Sequence, residues 1–224
     1  MCGRFVITHP NDAMAQLFGA APDNDLPEPP DYNVCPTARI VVVRAGPDGR
    51  RRLSALRWGF LPSWYDSPSN GPLLINARAE TIADKPAFRE AVRNRRCLIP
   101  TTGFYEWTRD GDVRLPWFIR RRDAAPLVMA GIWQSWAHEA ERIETCAIVT
   151  CAANETMAQV HHRMPVILGA VDWPLWLGEA GHGAARLMRP APDDTLEMWR
   201  VDPMVNSNRA SGSNLIAPMA DASD

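Results

Sequence analysis

Four short segments of this chain carry residue types that can do chemistry. The first is Cys2 in MCGRF. Cysteine is small enough for an initiator methionine to be removed in front of it, which leaves an α-amine and a thiol on adjacent carbons. An α-amine has a pKa of about 8 and a cysteine thiol about 8.5, so a fraction of each is nucleophilic near neutral pH. Such a 1,2-aminothiol condenses with an aldehyde: the amine gives a Schiff base and the thiolate closes on it as a thiazolidine ring. Position alone fits equally a cysteine that is merely the second residue of an ordinary protein. All 24 basic residues except Lys85 are arginine. Any imine chemistry therefore has two primary amines to draw on, Lys85 and the N-terminus.

The second segment is LLINARAET (73–81). Asn76, Arg78 and Glu80 alternate with alanines, and on an extended chain alternation puts them on one face. That face is either a polar site or a solvated edge. The third is GFYEW (103–107), where Glu106 stands among aromatic residues. A carboxyl group in apolar company has its pKa raised toward values useful for acid–base work; an outward-facing strand residue is the plainer alternative. The fourth is HHRMP (161–165). Two adjacent histidines do not share a face of a helix or strand, and no further ligands stand at metal-binding spacing, so no metal is expected. His161 or His162 suits a general acid–base and Arg163 a phosphate contact, or all are polar loop residues before Pro165.

These segments need elements to hold them. DAMAQLFG (12–19) reads as a short helix. Pro22 to Pro36 reads as a wrapped loop. IVVVR (40–44) and RLSALRWGF (52–60) read as strands joined by a turn at 46–49. Residues 61–72 read as a loop and 85–94 as a helix. Four further strands are expected at 97–108, 115–121, 126–136 and 142–150, with a hairpin turn at Asp110-Gly111-Asp112. Asn154 is expected to cap a short helix, Asp172 another with Pro174 in its first turn. Residues 196–208 read as a final strand and its exit. Strands outnumber short helices, so the expected fold is a single α+β domain with a β-rich, largely antiparallel, barrel-like core. It should run from residue 1 to 218, with a flexible tail at 219–224.

Composition narrows the function classes. With 224 residues, 46% hydrophobic and 22% charged, the chain has the make-up of a soluble globular domain. It has no apolar run of the ~20 residues that span a bilayer and no signal-peptide pattern, so a cytoplasmic protein without membrane contact is expected. The five cysteines include no CxxC pair, which points to neither a disulfide framework nor a zinc site. Cys35, Cys97, Cys146 and Cys151 read as small core residues. A net charge of −2 argues against a generally basic nucleic-acid binder but leaves room for a local basic groove. No GxGxxG or GxxxxGK occurs, so no nucleotide cofactor is expected.

Seven blocks, in this order and spacing, resemble one family: MCGRF, YNVCPT (32–37), RWGFLPSWY (57–65), INARAET (75–81), CLIPTTGFYEW (97–107), AIVTCAAN (147–154) and VHHRMPVIL (160–168). The chain is similar, over nearly its whole length, to the SOS-response-associated peptidase (SRAP) family of abasic-site-crosslinking proteins. The resemblance implies a single α+β domain with a groove for single-stranded DNA. It implies loss of Met1, the removal to which the peptidase name refers. The exposed cysteine then forms a thiazolidine with a ring-opened abasic sugar, which shields the lesion and is reversible in some contexts. Carried onto this chain, Cys2 is the crosslinking residue and Asn76 orients the N-terminus and sugar. Glu106 is the acid–base and His161 the proton donor to the sugar oxygen. His162 stands where relatives often carry an acidic residue. Arg78, Arg163 and Arg4 match phosphate-contacting arginines, Trp64 and Tyr65 an aromatic pair that stacks on or wedges between bases, and Thr150 a backbone contact. No cofactor is implied, and a monomer is expected. Two rivals remain: a cysteine peptidase or amidohydrolase using Cys2, His161 and Glu106 in trans, and a non-covalent single-stranded-DNA binding module.

Overall fold

A computed structural model describes residues 2–219. Apolar runs broken by turn residues give, in chain order, β1 (Phe5–Ile7), β2 (Ala21–Pro22), β3 (Asp31–Val34), β4 (Arg39–Ala45), β5 (Arg51–Trp58) and β6 (Asn76–Arg78). They continue with β7 (Arg96–Thr101), β8 (Gly103–Asp110), β9 (Val113–Arg121), β10 (Leu127–His138), β11 (Glu141–Ala152), β12 (Arg163–Pro165) and β13 (Leu196–Arg200). The α-helices are short: α1 (Asn11–Phe18), α2 (Arg89–Asn94), α3 (Glu155–Ala158) and α4 (Trp173–Leu177).

Five strands close on themselves. The antiparallel ladder β5-β4-β7-β10-β11 is sealed by a short parallel pairing of β11 with β5, Thr145 opposite Arg57 and Cys146 opposite Trp58. Closure removes the sheet edge that would otherwise present unpaired backbone groups. Both faces of β4 are covered, so Ile40, Val41, Val42 and Val43 are all buried in an unbroken β-branched run. A second antiparallel sheet lies in the order β13-β9-β8-β1-β3. The α+β, mostly antiparallel, barrel-cored expectation is what the structure contains.

Several elements differ from the expectation. The strand expected at 97–108 is two strands in different sheets, β7 in the barrel and β8 in the second sheet. The switch turns on Gly103, where a Cβ would stand 2.5 Å from Ile119 O and from the Phe118 ring. Only glycine lets the chain pass there. The loop expected from Pro22 to Pro36 contains β3, because Asp31–Val34 gains antiparallel partners on β1. The helix expected at 85–94 begins only at Arg89, and within the LLINARAET segment only Asn76–Arg78 is strand. Asn154 does cap α3, its side chain accepting from Met157 N–H at 2.9 Å; Asp172 makes no such bond at α4. Asp110-Gly111-Asp112 does form the β8–β9 turn, with Gly111 at φ 56° in the first central position. Cys97, Cys146 and Cys151 are core residues, whereas Cys35 is only partly buried.

The expected flexible tail at 219–224 begins with an anchored residue: Met219 N–H donates to Arg200 O at 2.9 Å. The rest of that tail and Met1 lie outside the described residues. Among those described, no helix is long and apolar enough to cross a membrane.

Candidate active site

Chain termini usually fray. Here the N-terminal strand is held between two others. β1 pairs antiparallel with β3 on one side and β8 on the other, Phe5 opposite Val34 and Phe104. Tyr105 N–H donates to Arg4 O at 2.9 Å, which carries the pairing toward the N-terminus and sets Gly3 alongside Glu106. Cys2 is therefore pulled into the protein, with 1% of its surface exposed.

The rest of the cluster hangs on the end of β11. β6 runs parallel to it, with Asn76 opposite Ile148 and Arg78 opposite Thr150. β12 runs antiparallel on its other side, with Arg163 opposite Ala152. This pairing brings the INAR and HHR segments together although about 85 residues separate them, counted from. Asn76 Nδ2 donates to Cys2 O at 2.9 Å, tying β6 to the N-terminus. Asn76 Oδ1 is buried without a hydrogen-bond partner among the described residues, so one acceptor remains for an incoming group.

The electrostatics are those of a small, largely buried polar cluster. Burial pushes the Cys2 thiol well above its ordinary pKa, and the Glu106 carboxylate pushes it further. The thiol is therefore protonated at neutral pH and needs a base to react. Burial also raises Glu106, which is 3% exposed. A raised carboxyl group holds and releases a proton closer to neutrality. His161 is lowered, first by burial and also by neighbouring positive charge from His162 and Arg163. Arg163 N–H donates to His161 Nδ1 at 2.9 Å. Nδ1 also lies 3.3 Å from Arg163 O, so the backbone of Arg163 fixes the ring's orientation at Nδ1 and leaves the Nε2 side for the cleft. The two histidine rings stack at 4.3 Å between centroids. The rule that adjacent residues point apart fails here because 161–162 is neither helix nor strand. Glu106 and His161 line one cleft of about 270 Å³ with Gly3, Arg4 and Trp107. Among the described residues, no cluster of three or more His, Cys, Asp or Glu stands close enough to hold a metal.

A profile described as "SOS response associated peptidase (SRAP)" matches residues 1–208. The chain belongs to the SRAP family. Its relatives include the abasic site processing protein YoaM of Bacillus subtilis, 35% identical over 96% of this chain and 97% of that one. YedK of Escherichia coli, also named an abasic site processing protein, is 29% identical over 98% of this chain and 100% of its own. The abasic site processing protein HMCES of Gallus gallus is 30% identical over 85% of this chain and 66% of its own. A crystal structure of a Bacteroides thetaiotaomicron protein superposes with a TM-score of 0.86 at 25% identity, covering 98% of this chain and 100% of the other.

Not every residue singled out in this SRAP sequence reaches the cleft as expected. Arg4 is buried, and its guanidinium is engaged by Asn33 Oδ1 (2.8 Å), Val205 O (2.7 Å) and Asn208 Oδ1 (2.7 Å). It clamps the N-terminal strand to the C-terminal segment through both terminal guanidinium nitrogens. Thr150 is fully buried on β11 between β6 and β12, out of reach of a DNA backbone. Arg163 forms a two-pronged pair with Glu80, at 2.6 and 2.9 Å, and also donates to Thr150 O at 2.8 Å. Its first duty is to lash the HHR loop to the segment after β6. Arg78 is exposed on β6 beside Asn76. Trp64 is 55% exposed and packs edge-on to Tyr65 with centroids 6.5 Å apart. Leu61 N–H on Thr145 Oγ1 anchors this aromatic loop roughly 15–20 Å along β11 from Thr150. Sequence reasoning missed Trp107, Arg109 and Arg114, which line the same cleft. A signal was present: a turn at Asp110-Gly111-Asp112 forces Arg109 and Arg114 to face each other across the hairpin.

Proposed function

We propose that this protein processes abasic sites in DNA by capturing the ring-opened sugar covalently on Cys2. With Met1 removed, the α-amine of Cys2 adds to the sugar aldehyde and water leaves, giving an imine. The thiol then adds across the C=N bond, sulfur to carbon and proton to nitrogen, closing a thiazolidine. One water is lost overall and nothing is oxidised or reduced. Glu106 takes the thiol proton and returns protons to the departing oxygen and the ring nitrogen, in the forward step and in reversal. His161 donates a proton to the sugar oxygen as the hemiacetal opens. Asn76 steadies the Cys2 carbonyl with its amide nitrogen and offers its oxygen to the amine or a sugar hydroxyl. Arg78 takes a phosphate, and Trp64 with Tyr65 stacks on unpaired bases, which favours a single strand.

The observation that carries this reading is a buried Cys2 whose carbonyl is held by Asn76 and whose thiol is raised by burial and then by the charge of Glu106, a carboxyl group whose own proton affinity burial increases. Relatives named for abasic site processing agree with it. The test is incubation with a single-stranded oligonucleotide carrying one abasic site, read by denaturing gel and intact mass. A wild-type adduct lacking Met1, absent from Cys2→Ala and Cys2→Ser and retained by Lys85→Arg, is the expected result. No adduct from a chain confirmed to begin at Cys2 would overturn it. Peptide turnover would then favour a peptidase acting in trans, and binding indifferent to Cys2 a non-covalent module.

A further inference from the structure

The cleft that holds Glu106 and His161 is walled on its outer side by the β8–β9 hairpin. Arg109 and Arg114 are directly opposed there, between the Glu106–Trp117 pair and the turn. Opposed residues have Cβ atoms about 5 Å apart, and like charges so placed repel. Both side chains are exposed, and among the described residues neither guanidinium makes a hydrogen bond or ion pair; the nearby turn carboxylates Asp110 and Asp112 pair with neither. The basic character extends inward: Arg4 feels the charge of Arg114. Glu106 is the sole acidic residue among those lining the cleft, against three arginines.

The platform beneath them is rigid. Arg114 lies over the Trp107 ring at 4.8 Å from its centroid, and Arg4 stands 5.6 Å from the same centroid. Trp107 Nε1 donates to Asn206 Oδ1 at 2.6 Å, while Asn206 Nδ2 donates to Arg114 O at 3.1 Å. One asparagine thus fixes both the ring and the backbone of the arginine stacked on it. An uncompensated pair of like charges, presented on a braced aromatic surface at the mouth of a cleft, is a disposition suited to a ligand of the opposite sign.

We propose that Arg109 and Arg114 together clamp one phosphodiester of the DNA strand that adjoins the captured sugar. This rests on the abasic-site reading and adds to it. The three residues from Glu106 to Arg109 span roughly 10 Å of strand, and the arginine side chain reaches back over part of that distance. The aromatic pair Trp64 and Tyr65 belongs to a separate loop, anchored at Thr145 toward the middle of β11. The clamp is thus a second hold on the strand, by two guanidiniums, separate from stacking on that pair.

The test uses a single-stranded oligonucleotide with a tetrahydrofuran abasic analogue, which cannot open to an aldehyde, so that binding is read apart from Cys2 chemistry. Binding to the wild type, R109A/R114A, R109K/R114K and the charge-matched control R50A/R186A is followed by fluorescence anisotropy between 50 and 200 mM salt. R109A/R114A should bind about 10-fold or more weakly, and the slope of log affinity against log salt should lose about 0.7, the share of one single-strand phosphate. R109K/R114K should restore the slope, and R50A/R186A should behave as wild type. With a true abasic oligonucleotide, R109A/R114A should need more DNA for half-maximal adduct rate while reaching the wild-type plateau. Wild-type affinity and slope in R109A/R114A, an equal loss in R50A/R186A, or a lowered plateau at unchanged half-saturation would each overturn the clamp. Absence of any wild-type adduct would instead count against covalent capture and leave the anisotropy result to decide the clamp. Relief of the repulsion and loss of the Arg114–Trp107 stack oppose each other, so R109A/R114A should melt close to wild type.

Discussion

Replacing Glu106 by glutamine removes one ionisable group and almost no volume. The residue is 3% exposed, and glutamine keeps an oxygen in the same buried position. A positioned general acid–base contributes about 10²–10⁴ in rate, which is about 3–5 kcal/mol of barrier at 1.36 kcal/mol per decade. E106Q should therefore form adduct at least about 100-fold more slowly in single turnover on an abasic oligonucleotide, read by denaturing gel. The pH profile should change shape as well. Burial lifts Glu106 above the ordinary glutamate value of about 4.3, so the wild-type rate should show an acidic limb displaced upward, and E106Q should lack it. The Glu106 charge also raises the Cys2 thiol, so alkylation of Cys2 by iodoacetamide should begin at lower pH in E106Q. Stability follows the opposite course. A carboxyl group raised on folding contributes stability below its unfolded pKa and loses it as pH rises through the folded value. At pH 8 E106Q should thus melt no lower than wild type. A folded E106Q that forms adduct at the wild-type rate with the same pH profile would refute the assignment.

Other perturbations separate catalysis from architecture. Asn76→Ala deletes the bond to Cys2 O and the open acceptor beside it; adduct rate should fall about 10-fold or more while Tm changes little, since a single such bond is worth about 1 kcal/mol. Arg4→Ala strands Asn33 Oδ1, Val205 O and Asn208 Oδ1 and should cost about 2–4 kcal/mol, a Tm loss on the order of 10 °C in a thermal melt. Salt-dependent DNA binding of the protein that remains folded should keep its wild-type slope. Glu80 is held below the ordinary carboxylate range by its hydrogen bonds from Arg163. Its contribution is therefore present above about pH 4.3 and lost as pH falls through the folded value. With Glu80 half exposed, Glu80→Gln should cost under about 1 kcal/mol near neutral pH, and the difference from wild type should vanish in melts at lower pH.

Much of this protein is local and therefore legible in its sequence. The alternating apolar runs, the glycine turns at 46–49 and 110–112 and the Asn154 cap depend on neighbours a few residues away, and these mark most barrel strands and the antiparallel character of the fold. Cys2, Asn76, Glu106 and His161 stand out by type and by their blocks. Their assembly is another matter. Nothing near Cys2 in sequence says that residues 5–7 will lie between β3 and β8, yet that placement alone buries the thiol beside Glu106. The division of residues 97–110 between two sheets turns on the missing Cβ of Gly103 against Ile119 O, a clash with another strand. Arginines look alike in one dimension. Only tertiary structure decided that Arg4 is an internal clamp, that Arg163 is tied to Glu80, and that Arg109 and Arg114 stand uncompensated at the cleft. The reason is physical: a residue type sets which bonds a side chain can make, whereas burial and the partners within reach, supplied by strands distant in sequence, set which ones it does make.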